Sequence, residues 1–106
     1  MVKKLLYTFF LLVGLSVFGQ SKTLTNLSAS PNPFKNQTTI SFINEDASPV
    51  IFSVQNVLGK IVFQEKMYTR RGNNTFIFYK NNLNKGVYLY SIQKQSAVLT
   101  KRFVIQ

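Results

Sequence analysis

The chain has 106 residues, with 13 Lys and Arg against 3 Asp and Glu, and no His, Cys or Trp. Without Cys there is no disulfide, thiolate nucleophile or zinc–thiolate site. Without His, the commonest general acid/base and the commonest transition-metal ligand are both missing. The only acids are Glu45, Asp46 and Glu65, and the first two are neighbours, a poor set for paired-carboxylate hydrolysis. No enzyme is expected, and neither a cofactor nor a small-molecule substrate.

Taken in chain order, Lys3 and Lys4 open the sequence with positive charge, and residues 5–18 follow as an apolar run without a charge. A basic start and an h-region of that length predict a signal peptide over residues 1–19, too short to span a bilayer comfortably. Cleavage after Gly19 leaves Gln20 at the new terminus; cleavage after Gln20 leaves Ser21. A lipid anchor on Cys is excluded. The expected route is export to the periplasm, then the cell surface or medium.

Residues 20–29 read as a short linker or edge strand, and residues 30–106 as one domain. Beyond the signal, eleven basic residues face three acidic ones, and eleven of the fifteen aromatics lie there. That aromatic density predicts a packed core. Gly59, Gly72 and Gly86, with Pro31, Pro33 and Pro49, punctuate short runs at 38–43, 50–55, 60–66, 74–79, 86–93 and 98–105. Each run is rich in β-branched and aromatic residues, and 24–30 adds an edge strand. About seven short antiparallel strands at this spacing predict an all-β fold, an immunoglobulin-like β-sandwich, with a small barrel as the alternative.

Period-two alternation assigns the faces. Ile40 with Phe42, Val50 with Phe52 and Val54, Ile61 with Phe63, and Phe76 with Phe78 are each expected on a common face. Tyr88, Tyr90 and Ile92 share one face of their strand, with Val87 and Leu89 on the other. Leu99, Phe103 and Ile105 close the core, and Lys101 interrupts them. It is either an inward charge guarding an edge strand or a sign that the faces are reversed.

Four motifs stand out. Pro31, Asn32, Pro33 and Phe34 form an extended segment with two missing amide donors, and Phe34 is placed to anchor it on the core. Asn56-Val57-Leu58-Gly59-Lys60 is a tight turn in which Gly59 supplies a positive φ. Leu83-Asn84-Lys85-Gly86-Val87-Tyr88 places a Leu before a turn glycine and a strand opened by Tyr88. Lys101-Arg102-Phe103-Val104-Ile105 is the last strand.

In this order, behind a signal peptide, the motifs make 27–106 resemble the type A C-terminal sorting domain of the type IX (Por) secretion system of Bacteroidota. Pro31, Asn32, Pro33, Phe34, Gly59, Lys60, Gly86, Tyr88, Lys101, Phe103, Val104 and Ile105 are the positions that carry the resemblance. It implies an immunoglobulin-like sandwich that directs a cargo through the outer membrane and has no catalysis of its own. The implied partners are the outer-membrane type IX translocon and its sorting-domain peptidase. Ser30 departs from the family, which often has an aromatic or aliphatic residue there. The chain reads as a sorting domain without an obvious passenger, since only residues 20–29 separate the expected cut from the motif. A remnant of a larger cargo is therefore an alternative, as is a small adhesion or carbohydrate-contact sandwich.

The basic balance reads mainly as a solvated surface. A charge match to an acidic translocon surface or to anionic surface polysaccharide comes second, and nucleic acid is not expected, because the cations are scattered and lack aromatic stacking partners. Asn44-Glu45-Asp46 offers oxygens to calcium but reads better as a polar turn.

Overall fold

The computed structural model describes residues 24–106; the expected signal peptide over 1–19 lies outside the described residues. Seven strands follow in order: β1 (Leu24–Ser30), β2 (Gln37–Asn44), β3 (Pro49–Gln55), β4 (Ile61–Tyr68), β5 (Gly72–Tyr79), β6 (Gly86–Lys94) and β7 (Ala97–Ile105). They pair antiparallel into a three-stranded sheet, β1-β2-β5, and a four-stranded sheet, β4-β3-β6-β7. The two sheets enclose one core, so the all-β sandwich expected from the strand spacing is the fold.

Alternation builds that core. Ile40 and Phe42 on β2, Val50, Phe52 and Val54 on β3, and Tyr88, Tyr90 and Ile92 on β6 are all buried. Phe52 lies at its centre, with ring centroids 6.0 Å from Phe63, 4.9 Å from Phe76 and 5.7 Å from Phe78. Edge-to-face contacts of this kind add to the area each ring removes from water.

One bulge corrects the simple period-two reading, and a second shapes the edge strand β1. On β4, Phe63 pairs with Val54 but Ile61 pairs with Gln55, so Val62 is an extra residue. Ile61 therefore faces outward and is half exposed, and does not share a face with Phe63 as alternation predicted. On β1 the register slips between Thr25 and Ser28, and Asn26 takes a φ of 58°. That bulge turns both Leu24 and Leu27 into the core, although three positions separate them.

Lys101 settles the question raised by its position. Opposite Tyr90 in register, it lies on the core-facing side of β7 with Leu99 and Phe103, yet its side chain is exposed. The faces are as expected, and the charge sits on an edge strand, where it discourages pairing with another chain.

A polar lock joins the two sheets at the end where β2 and β6 finish. Lys94 continues the inward row of Tyr88, Tyr90 and Ile92 and is 4% exposed. Its Nζ donates to Asn44 Oδ1 at 2.7 Å and to Asp46 Oδ1 at 2.8 Å. Buried Asn44 in turn donates through Nδ2 to Thr69 Oγ1 at 2.8 Å, and Thr69 donates to the Ser48 carbonyl at 2.7 Å. A buried ammonium is costly unless its donors are used, and here two are. The oxygens of Asn44 and Asp46 thus face an ammonium, and the segment is a polar turn.

Two expectations follow. Phe52→Ala should cost about 3–5 kcal/mol, a large share of the stability of a domain this small, measured as the shift in a urea unfolding curve. The Lys94 hydrogen bond holds the Asp46 carboxyl below its ordinary value of 3.8. A depressed folded-state pKa gives stability that is present above the unfolded value and is lost as pH falls through the folded one. Asp46→Asn should therefore flatten the acid limb of the stability–pH profile below about pH 4 while leaving its shape near neutrality unchanged.

Candidate functional site

All four sequence motifs arrive at the same end of the sandwich, opposite the Lys94 lock. β3 ends and β4 begins there through the 56–60 turn, β6 begins at Gly86, and Gly86 pairs with Ile105 near the end of β7. The extended segment 31–34 leads into β2 at this same end.

That segment clamps the last strand. β7 is an edge strand, so the N–H and C=O groups on its outer side have no neighbour in the sheet. Asn32 covers them with its side chain: Nδ2 donates to the Arg102 carbonyl at 3.1 Å, and Oδ1 accepts from the Val104 amide at 3.0 Å. Phe34 continues with its backbone, donating to the Val104 carbonyl at 3.0 Å and accepting from the Gln106 amide at 2.8 Å. The result is a parallel bridge between Phe34 and Ile105. Pro31 and Pro33 have no amide hydrogens to leave unpaired, which suits a segment that borders a sheet without joining it. Both prolyl bonds, Ser30-Pro31 and Asn32-Pro33, are cis. Thr38 Oγ1 fixes the segment to β2 by donating to the Pro31 carbonyl at 2.7 Å.

Behind the clamp lies an aromatic knot centred on Phe103. Its ring is 5.0 Å from Phe34, 5.6 Å from Phe78, 6.2 Å from Tyr88 and 4.9 Å from Tyr90. Tyr88 also reaches back with its hydroxyl, donating to the Asn84 carbonyl at 2.7 Å. This is the tyrosine-corner arrangement of immunoglobulin-like sandwiches, in which a Tyr near the start of a strand pins the preceding crossover. Leu83, half buried on the core, anchors the same loop.

The 56–60 turn is separately organised. Asn56 Oδ1 accepts from the Leu58 amide at 2.9 Å and the Lys60 amide at 3.0 Å. The Gly59 amide donates to the Asn56 carbonyl at 3.0 Å, with φ at 86°, the positive value that a glycine tolerates best. These bonds hold Val57 and Leu58 outward, at 74% and 88% exposure.

The structure thus brings Asn32, Phe34, Tyr88, Phe103, Val104 and Ile105 into one contiguous assembly, with Pro31 and Gly86 at its border. Gly59 and Lys60 lie at the same end on their own hairpin, and Lys101 lies on the exposed edge. Sequence reading placed Asn32 in an extended segment and missed its side-chain link to β7, about seventy positions away. No local signal marks such a contact. Lys94 was legible in principle, since it continues the alternation of β6.

The fold and this clamped end define a small immunoglobulin-like module whose last strand is held in place by the segment that precedes its second. The family of secretion system C-terminal sorting domains matches residues 28–106, and the chain belongs to that family. Its role is therefore type IX secretion sorting, and its family is a non-enzymatic tail that engages the type IX machinery and implies export to the cell surface or medium. No curated protein matches the chain significantly. Among solved structures, a β-glucosidase from Listeria innocua in complex with glucose resembles it at 17% identity and a TM-score of 0.40, over 82% of this chain and 16% of that one.

Asn32→Ala should destabilise the domain by about 1–2 kcal/mol, because it removes two hydrogen bonds at a partly solvated edge. Amide exchange should accelerate at Val104 before it does in β3 or β6, as measured by hydrogen–deuterium exchange.

Proposed function

We propose that the clamped end of the sandwich is the address that the export machinery reads, and that the domain acts without catalysis. A signal peptide over residues 1–19 carries the chain across the inner membrane into the periplasm. The folded domain then presents segments 31–34, 56–60, 83–88 and 101–105 to the outer-membrane translocon and to its sorting-domain peptidase. The convergence of these four segments on one end supports this reading.

The clamp also bears on how docking works. Strand addition along the end of β7 is unavailable, because Asn32 and Phe34 already occupy that edge from Arg102 onward. Removing residues 101–106 would not test docking either. It takes Phe103 and Ile105, both buried, out of the core, so lost export would report unfolding. Recognition is of a surface and not of a free strand.

A secondary contact with anionic surface polysaccharide is supported by an open concavity beside the clamp. Lys35, Lys80 and Lys85 line it together with Asn36, Asn82 and Gln106. The Lys80 amide donates to the Asn36 carbonyl at 2.9 Å, which joins its two walls. Ammonium and amide donors of this kind suit carboxylate or phosphate groups on a hydroxyl-rich polymer.

The test is an export assay. Residues 21–106 are fused behind a signal peptide and a fluorescent protein that folds in the periplasm, then expressed in a Bacteroidota host with and without its translocon. Reporter should reach the cell exterior only when the translocon is present. Retention in the periplasm of both strains would overturn the reading.

A further inference from the structure

We infer that Val57 and Leu58, held out by the 56–60 turn, form an apolar knob that enters a recess on an acidic protein partner in the export machinery. This inference rests on the export reading above and names the surface that the reading leaves open.

A single exposed Leu needs no explanation on a protein surface. Leu58 is not single. Val57 at 74% and Leu58 at 88% exposure sit at the tip, and outward-facing Ile61, Val87 and Leu89 are 48%, 40% and 41% exposed in the rows beside it. Register places them together. Ile61 pairs with Gln55, Gln55 with Leu89, and Leu89 with Arg102, which forms one row across the four-stranded sheet. Val87, opposite Val104, lies one row further toward the turn. The apolar side chains therefore gather at the end where the sorting motifs converge.

The tip is also preorganised. Asn56 accepts two amides of its own turn at 2.9 and 3.0 Å, and Gly59 closes the loop, so Leu58 is fixed away from the core. An anchor fixed before binding avoids most of the ordering cost of association. Charge selects the occupant. The outward-facing positions of β3, β4, β6 and β7 hold no carboxylate, and Arg102 ends the row of Ile61, Gln55 and Leu89 beside the tip; Glu65 belongs to the other face, opposite Phe52. Lys60 adds a cation at the tip itself. An apolar centre with a basic rim complements a protein recess floored by apolar side chains and rimmed by Asp and Glu. The rows beside the tip give the flat area that a protein interface needs and that an isolated lipid-inserting loop does not.

The test uses the reporter fusion already described. Leu58→Ser and the double change Val57→Ser with Leu58→Ser should lower export about tenfold or more and leave the reporter in the periplasm. Both should keep the wild-type thermal unfolding midpoint or raise it, since no buried group is touched. Arg102→Glu should also lower export. Val98→Ser, at an equally outward position at the far end of β7, should export normally. Normal export of the double variant, with the wild-type fusion exported, would overturn the knob while leaving the sorting role intact. A wild-type fusion retained in the periplasm would overturn the sorting role, and the knob with it. A third arm measures co-sedimentation with phosphatidylglycerol vesicles. Wild-type binding that disappears in Leu58→Ser would assign the tip to a lipid surface and overturn the protein recess.

Discussion

The structure depends on how its last strand is held. β7 contributes Phe103 and Ile105 to the core, yet it lies at the edge of its sheet and has one hydrogen-bonded strand neighbour, β6. An edge strand that carries core residues is a weak point, because fraying of its backbone exposes its aromatic ring. The segment before β2 removes that weakness. Asn32 and Phe34 satisfy the outer backbone groups of β7, and the Phe34 ring packs at 86° against Phe103 on the inside. Backbone and core are thereby closed by the same few residues.

That arrangement explains why the domain works without a disulfide. Many small exported sandwiches use a covalent staple between sheets. Here two non-covalent devices stand at opposite ends. At one, Lys94 on the four-stranded sheet reaches Asn44 on the other sheet; at the opposite end the 31–34 segment bridges β2 and β7. Between them the Phe52 cluster fills the interior. Each device is modest in energy, and their separation lets both sheets be fixed in register.

Much of this was legible in the sequence because most strands obey a strict period of two. The faces of β2, β3 and β6 follow directly from Ile40 and Phe42, Val50 to Val54, and Tyr88 to Ile92. The reading failed at Val62 on β4, where one residue is inserted, since a bulge reverses every assignment beyond it; β1, which bulges around Asn26, was read only as an edge strand without assigned faces. Lys94 was passed over because the predicted run stopped at residue 93, although the strand reaches Lys94 and its phase puts it inside. The clamp was beyond reach for a different reason. Nothing near Asn32 in the sequence reveals that its amide meets Arg102 and Val104. The motifs of the site could be picked out singly, but their contact is a property of the fold.

The same fact bears on what an export machine can recognise. Segments 31–34, 56–60, 83–88 and 101–105 are spread over more than seventy positions of an extended chain, and no linear stretch holds them together. They share one surface only after β1 to β7 have paired. A receptor that contacts two or more of them therefore gains its affinity only from folded domain, since the loop-closure cost of gathering them has already been met by folding. An unfolded chain offers each segment alone and loses that advantage. Recognition of this composite end thus doubles as an inspection of folding, and a receptor built to bind it would pass over a misfolded tail without any separate proofreading step.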